Sequence, residues 1–273
     1  MSEIIKKYDF IMSIGRFCHT TAMLNNHGLK LFDGPWDWSG TGRAEGIYKR
    51  LEALTKGFNG WFNKKDFVKM DPQYSSEIED GTFLNPSRWS PPSLNSQKHQ
   101  LTNTQFPIAI NPEVRFYNTK TLTYYGHDFH EKPQFNEQWD AFYKRYIRRS
   151  RRILKFIQAA NSILLVYMSH IADQRKDIIL DDNLIIQHME KLRKKYPTKT
   201  IDLYIFKHSP NMHNGDYLRQ VLDVGIINYY SNHDEVWPSN DPICSHAANN
   251  FMMPISICKI LEKISLTDKF KMI

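Results

Sequence analysis

The first apolar run of the chain, "YDFIMSIG", spans residues 8–14, closes at Gly15 and reads as a buried strand. The segment after it, "CHTTAMLNNH" at residues 18–27, predicts a short helix, with Gly28 placed as its left-handed C-terminal cap. Residues 44–57 predict a second helix, with Ile47, Leu51 and Leu54 on one face and Gly57 behind them. The longest helical pattern runs over residues 135–160, where Trp139, Phe142, Tyr143, Tyr146, Ile153, Leu154 and Ile157 recur at helical spacing and arginines fill the other face.

Beyond that helix the pattern alternates. "SILLVYMS" (162–169) is a continuous apolar strand of the kind buried on both faces. "NLIIQHMEKLRKKYP" is an amphipathic helix stopped by proline, "IDLYIFKHS" a further strand, "GDYLRQVLDVG" a short helix and "IINYY" a last strand. "HAANNFMMPISICKILEKI" predicts a helix interrupted at Pro254. Strands alternating with helices predict an α/β fold, a single domain over residues 1–273 with a mainly parallel sheet flanked by helices.

Residues 70–125 break the alternation and read as an irregular insertion, with three prolines in "LNPSRWSPPSLNSQ". At its end, "EVRFYNTKTLTYYGHDFH" predicts two short strands, a hairpin turning at Asn118 and Thr119. In open parallel sheets ligands bind outside the carboxyl ends of the strands. Four polar clusters fall there: "GRFCH", "SHIADQR", "KHSPNMH" and "SNHDEVWPSNDP". They make Gly15, Arg16, His170 and His208 candidate substrate-binding residues.

Charge adds a partner class to this picture. The formal net charge of +7 favours an anionic or phosphate-bearing small molecule or glycan. "KRYIRRSRRILK", residues 144–155, concentrates the excess and also fits the solvated face of a helix. No helix-turn-helix, zinc-finger or RNP pattern accompanies it, which argues against nucleic acid. No run reaches the roughly 20 apolar residues of a membrane span, and "MSEIIKKYDF" has no signal-peptide core, so the expected location is the cytoplasm. Three scattered cysteines, Cys18, Cys244 and Cys258, form neither a disulfide framework nor a CxxC zinc site. No cofactor fingerprint is present, and the oligomeric state is not legible.

Cys18 begins the first helix, where free backbone N–H groups and the helix dipole favour a thiolate and offer an oxyanion site. A buried, inert thiol fits the same spacing. His127 in "YYGHDFH" is the better placed base for a cysteine nucleophile, and Asp128 a possible orienting carboxylate. His127 and His130 also have His-x-x-His spacing, but no third metal ligand stands out. "FDGPWDW" offers Asp33, Trp36 and Asp37, with Trp38 closing it. The loop reads either as the wall of a sugar or nucleotide pocket or as an aromatic plug with Asp37 bonding loop amides. Asp241 and His246 form a further acid–base pair or simply a helix-start turn.

The order of "DFIMSIGRFCHTTAMLNNHGLKLFDGPWDW", "YYGHDF" and "FYKRYIRRSRRILKFIQAANSILLVYM" resembles a bacterial family of unknown function labelled as papain-like cysteine peptidase. The resemblance covers roughly residues 8–210; residues 210–273 match nothing, and Trp36 stands where the family's loop usually has Phe. It implies that Cys18 is the nucleophile and His127 the base, with Asp128 or a later residue as orienter. It also implies a helical half set against an antiparallel half, whereas the residues themselves read as a parallel sheet. Three functional expectations result. One is a cysteine-dependent acyl-transfer enzyme, a hydrolase or peptidase. Another is a transferase using a nucleotide-sugar or coenzyme A donor, as in surface-polysaccharide assembly. A binding module without catalysis is the third.

Overall fold

The computed structural model describes residues 6–15, 18–41, 45–69, 113–130, 132–169, 180–209, 211–213, 215–232 and 254–270, with backbone alone at 18, 113, 114 and 127. Arg16, His170, Asp241, His246 and most of the expected insertion therefore lie outside the described residues.

The first apolar run forms two strands, β1 (Lys6–Tyr8) and β2 (Phe10–Ser13), broken at Asp9. Then come α1 (Cys18–Asn26), β3 (Ser39–Thr41), α2 (Gly46–Lys56) and β4 (Phe67–Lys69). The predicted hairpin is β5 (Glu113–Asn118) and β6 (Thr123–His130), followed by α3 (Phe135–Ala159) and β7 (Ser162–Met168). The chain continues through α4 (Asp182–Lys195), β8 (Thr200–His208), β9 (Tyr217–Asp223) and β10 (Ile226–Ser231) to α5 (Ile255–Leu261) and β11 (Ile264–Leu266). Gly28 and Gly57, after α1 and α2, adopt φ of 64° and 79°, the left-handed caps their positions predict.

The main sheet has the order β2-β7-β8-β10-β9, parallel except for β9, which pairs antiparallel with β10 at the edge. A second sheet, β3-β6-β5-β4, is antiparallel throughout. β1 pairs in parallel with β11.

Alternation along the strands sorts side chains between two cores. Phe10 and Met12 of β2, with Ile163 and Leu165 of β7, face a cluster that holds Ile47, Leu51 and Leu54 of α2, Phe142, Tyr146 and Ile153 of α3, and Ile185 and Met189 of α4. Ile11, Leu164 and Val166 face the other cluster, with Met23 and Leu24 of α1 and Ile257 and Leu261 of α5. The first cluster also contains Phe67, Phe116, Tyr125 and Phe129 of the antiparallel sheet, so one core joins the two sheets through α3.

One expectation needs correction. "GDYLRQVLDVG" forms β9 rather than a helix. Leu218, Val221 and Leu222 mimic helical spacing because residues 218–221 of this edge strand are exposed on both faces, with only Tyr217 and Leu222 packed against the cores, too few to enforce alternation. The hairpin expected with the insertion forms as β5 and β6, which pair in turn with β4 and β3.

Candidate active site

The turn between β2 and α1 is fixed at Gly15. A Cβ built there would stand 1.9 Å from Thr20 Oγ1, so only glycine lets the first turn of α1 fold back so closely. The Gly15 N–H donates to Ser13 Oγ at 3.2 Å, and the Ile14 N–H donates to the Val166 carbonyl of β7. Cys18 is the first residue of α1, the end of the helix where backbone N–H groups lack intrahelical acceptors. Burial pushes the imidazole of its neighbour His19 below the ordinary histidine range, which keeps that ring neutral near pH 7.

The "FDGPWDW" loop closes over this turn from the core side. Asp37 accepts from the Thr21 hydroxyl of α1 at 2.6 Å and from the Gly34 N–H at 2.6 Å, and pairs with Lys30 Nζ at 3.1 Å. Trp36 is 1% exposed and packs against Phe58 and Trp61. The loop is thus an aromatic plug pinned to α1 by Asp37. Asp33 lies nearer the surface, bonded by Lys30, Trp38 Nε1 and Arg149 of α3. Burial would raise its carboxyl, but Lys30, Trp38 and Arg149 outweigh that and hold it below the usual carboxylate range.

Arg50 of α2 joins the elements and was not singled out in the sequence. Its side chain is 0% exposed. It donates to the Gly15 carbonyl and to the Ser39 carbonyl of β3 at 3.3 Å, and lies over the Trp36 ring at 5.6 Å. A signal was present: position 50 falls within the apolar stripe of Ile47, Leu51 and Leu54, and a charged residue on a core face marks a conflict that fold consistency does not produce by itself.

Ser39 in turn pairs with Tyr125 of β6, two residues before His127. The β5–β6 register shifts here: Val114 faces Phe129 and Phe116 faces Tyr125, so one residue of β5 opposes Gly126, His127 and Asp128. His127 therefore sits in a bulge, a device that re-aims side chains and is frequent beside active sites. The bulge breaks alternation, so that Tyr125, Asp128 and Phe129 all meet α3. Asp128 accepts from the Tyr146 hydroxyl at 2.6 Å and pairs with Arg145 at 3.0 Å.

The structure thus links Gly15 and the start of α1, through Arg50 and β3, to the strand that carries His127, and it ties Asp128 to α3. His208 lies elsewhere, buried at the carboxyl end of β8, where its N–H meets Ser169 Oγ at 3.4 Å. His130 is exposed, and its backbone is held by Gln138. Among the described residues no cluster of His, Cys, Asp or Glu could hold a metal ion, and no helix is long and apolar enough to cross a membrane.

Comparison with curated proteins and with solved structures finds no match. A family model described as "Putative papain-like cysteine peptidase" matches residues 9–209. That span runs from the break before β2 through β8 and takes in Cys18, Arg50, His127 and the whole of α3, and the chain belongs to this family.

Proposed function

We propose that the chain is a cysteine-dependent acyl-transfer enzyme of the hydrolase class, with Cys18 as nucleophile and His127 as base. The observation that carries this reading is the junction at Gly15. Gly15 packs against Thr20 and is bonded to Arg50, and Cys18 is the first residue of α1, at the helix N-terminus.

The chemistry follows from that placement. A thiolate at a helix N-terminus is stabilised by the dipole and by unpaired N–H groups. His127 takes the thiol proton; the sulfur attacks an acyl carbon; backbone N–H groups receive the developing oxyanion. The imidazolium returns the proton to the leaving group, and a thioester remains. Water, deprotonated by His127, then releases the acid and the free thiol. Asp128, held by Tyr146 and Arg145, is the candidate orienter of the ring, since a carboxylate accepts about four hydrogen bonds and these two leave room for another. The excess of basic residues favours an anionic substrate.

The test is the rate of Cys18 alkylation against pH, with Cys18→Ser as the blank for the other thiols. An inflection well below the unperturbed thiol value of about 8.5 is expected, with His127→Ala displacing it. Alkylation that inflects only near 8.5, or only on unfolding, overturns the reading.

A further inference from the structure

The most anomalous group in the molecule is the guanidinium of Arg50. It is completely buried, yet it has no ion pair among the described residues. Its Nη atoms end on two backbone carbonyls, Gly15 and Ser39, with Ser39 Oγ at 3.5 Å, and its Nε has no hydrogen-bond partner. The groups whose charge reaches it are Tyr167 of β7, Tyr125 of β6, Asp37 of the plug loop and Tyr146 of α3. The three phenols are buried in the core, and Tyr125 and Tyr146 are pushed above their ordinary range by burial, so both are neutral. Asp37 is the one carboxylate in this set, and Lys30 already neutralises it at 3.1 Å.

A buried cation without a counter-ion is expensive, and natural cores seldom retain one unless an anion answers it. The carbonyl it grips belongs to Gly15, three residues before Cys18, the first residue of α1. The other carbonyl belongs to β3, the strand beside β6 and His127. We infer that Arg50 is a positioning residue whose buried charge, without an ion pair among the described residues, favours the thiolate form of Cys18 and whose two carbonyl bonds fix Gly15 relative to β3, the strand beside that of the base. This rests on the reading of Cys18 as nucleophile. The neutral His19 beside Cys18 adds no competing cation.

The experiment reads the pH inflection of Cys18 alkylation in the full chain, with circular dichroism and thermal melting alongside. Arg50→Gln is expected to raise the inflection by about one pH unit, lowering the thiolate fraction at neutral pH several-fold, because it removes a positive charge bonded three residues before Cys18. Arg50→Lys, which keeps the charge but cannot fork between two carbonyls, is expected to restore most of the shift. A folded Arg50→Gln protein with the wild-type inflection overturns the inference. If Arg50→Gln does not fold, the wild-type protein decides. A buried charge is poorly screened, so the inflection is expected to stay fixed from low salt to about 0.5 M. An inflection that climbs with salt assigns the effect to exposed cations and also overturns it. A wild-type inflection near the ordinary thiol value removes the nucleophile itself, which separates failure of that reading from failure of this one.

Discussion

At the scale of single residues, the site depends on contacts that tolerate no extra atom. Gly15→Ala places a methyl group against Thr20 and has no flexible side-chain end to displace, since Thr20 Cβ itself lies 2.5 Å away. The expected loss is about 2–3 kcal/mol, read as a lowered denaturant midpoint. Asp37→Ala strips Lys30, whose side chain is 9% exposed, of one of its two carboxylates, and also frees the Thr21 hydroxyl. A destabilisation of about 3 kcal/mol is expected for a broken buried pair. Melting curves that match wild type would show that Asp33 alone suffices. The sequence made Gly15, Asp37 and Cys18 visible, because each interrupts a pattern: a run's end, a Gly-Pro loop, a helix start. It showed Trp36 only as one of two alternatives, since a tryptophan in a loop looks the same whether it plugs a core or lines a pocket. Arg50 is easily passed over because Lys49 and Glu52 flank it in α2, although it falls in the stripe of Ile47, Leu51 and Leu54.

Elements explain why the candidate catalytic residues are organised from a distance. α3 reaches both edges of the site: Arg149 and the backbone contact of Arg152 hold Asp33, while Arg145 and Tyr146 hold Asp128. Tyr146→Phe removes the hydroxyl donor from Asp128. Hydrogen bonds to charged groups contribute about 1.5–3 kcal/mol, so a loss in that range is expected, together with slower turnover if the bulge positions His127. Unchanged stability would show that the remaining partners of Asp128, Arg145 among them, hold it without the hydroxyl. The outer stripe of the same helix, Lys144, Arg148, Arg151 and Lys155, repels itself at helical spacing. Arg148→Glu is therefore expected to raise the melting temperature by a few degrees at low salt, and added salt to erase the difference. The helices and buried strands were legible because burial imposes a period. β9 was not, because an edge strand wet on both faces over most of its length has none; its register shift near Ile226 and Arg219 on its exposed stretch blunt that edge against pairing with other chains. The antiparallel sheet was read as one hairpin, since β3 and β4 are three residues each and too short to show alternation.

For the molecule as a whole, Asp9 is the junction. It breaks the first apolar run into two strands, and its carboxylate collects the Asn161 N–H before β7 at 2.7 Å, the Thr267 hydroxyl after β11 at 2.8 Å and Lys269 at 3.3 Å. Burial would raise this carboxyl, but those three donors outweigh it and hold it below the usual range. A carboxyl lowered by folding adds stability that is complete above the unfolded value of about 3.9 and disappears as pH falls through the folded value. Asp9→Asn is therefore expected to be less stable than wild type at neutral pH and to lose less on transfer to about pH 3. Parallel urea midpoints for the two proteins at both pH values would reject this.

The pairing of β1 with β11 has a consequence for biosynthesis. Lys6 finds its partner, Ile264, at the far end of the described chain. At roughly 5–20 residues per second, the ribosome leaves this segment unmatched for on the order of ten seconds or more, with Tyr8 and Ile11 still waiting for the helix that covers them. The core over β1 and β2 is thus completed only once α5 and β11, far later in the chain, have been made.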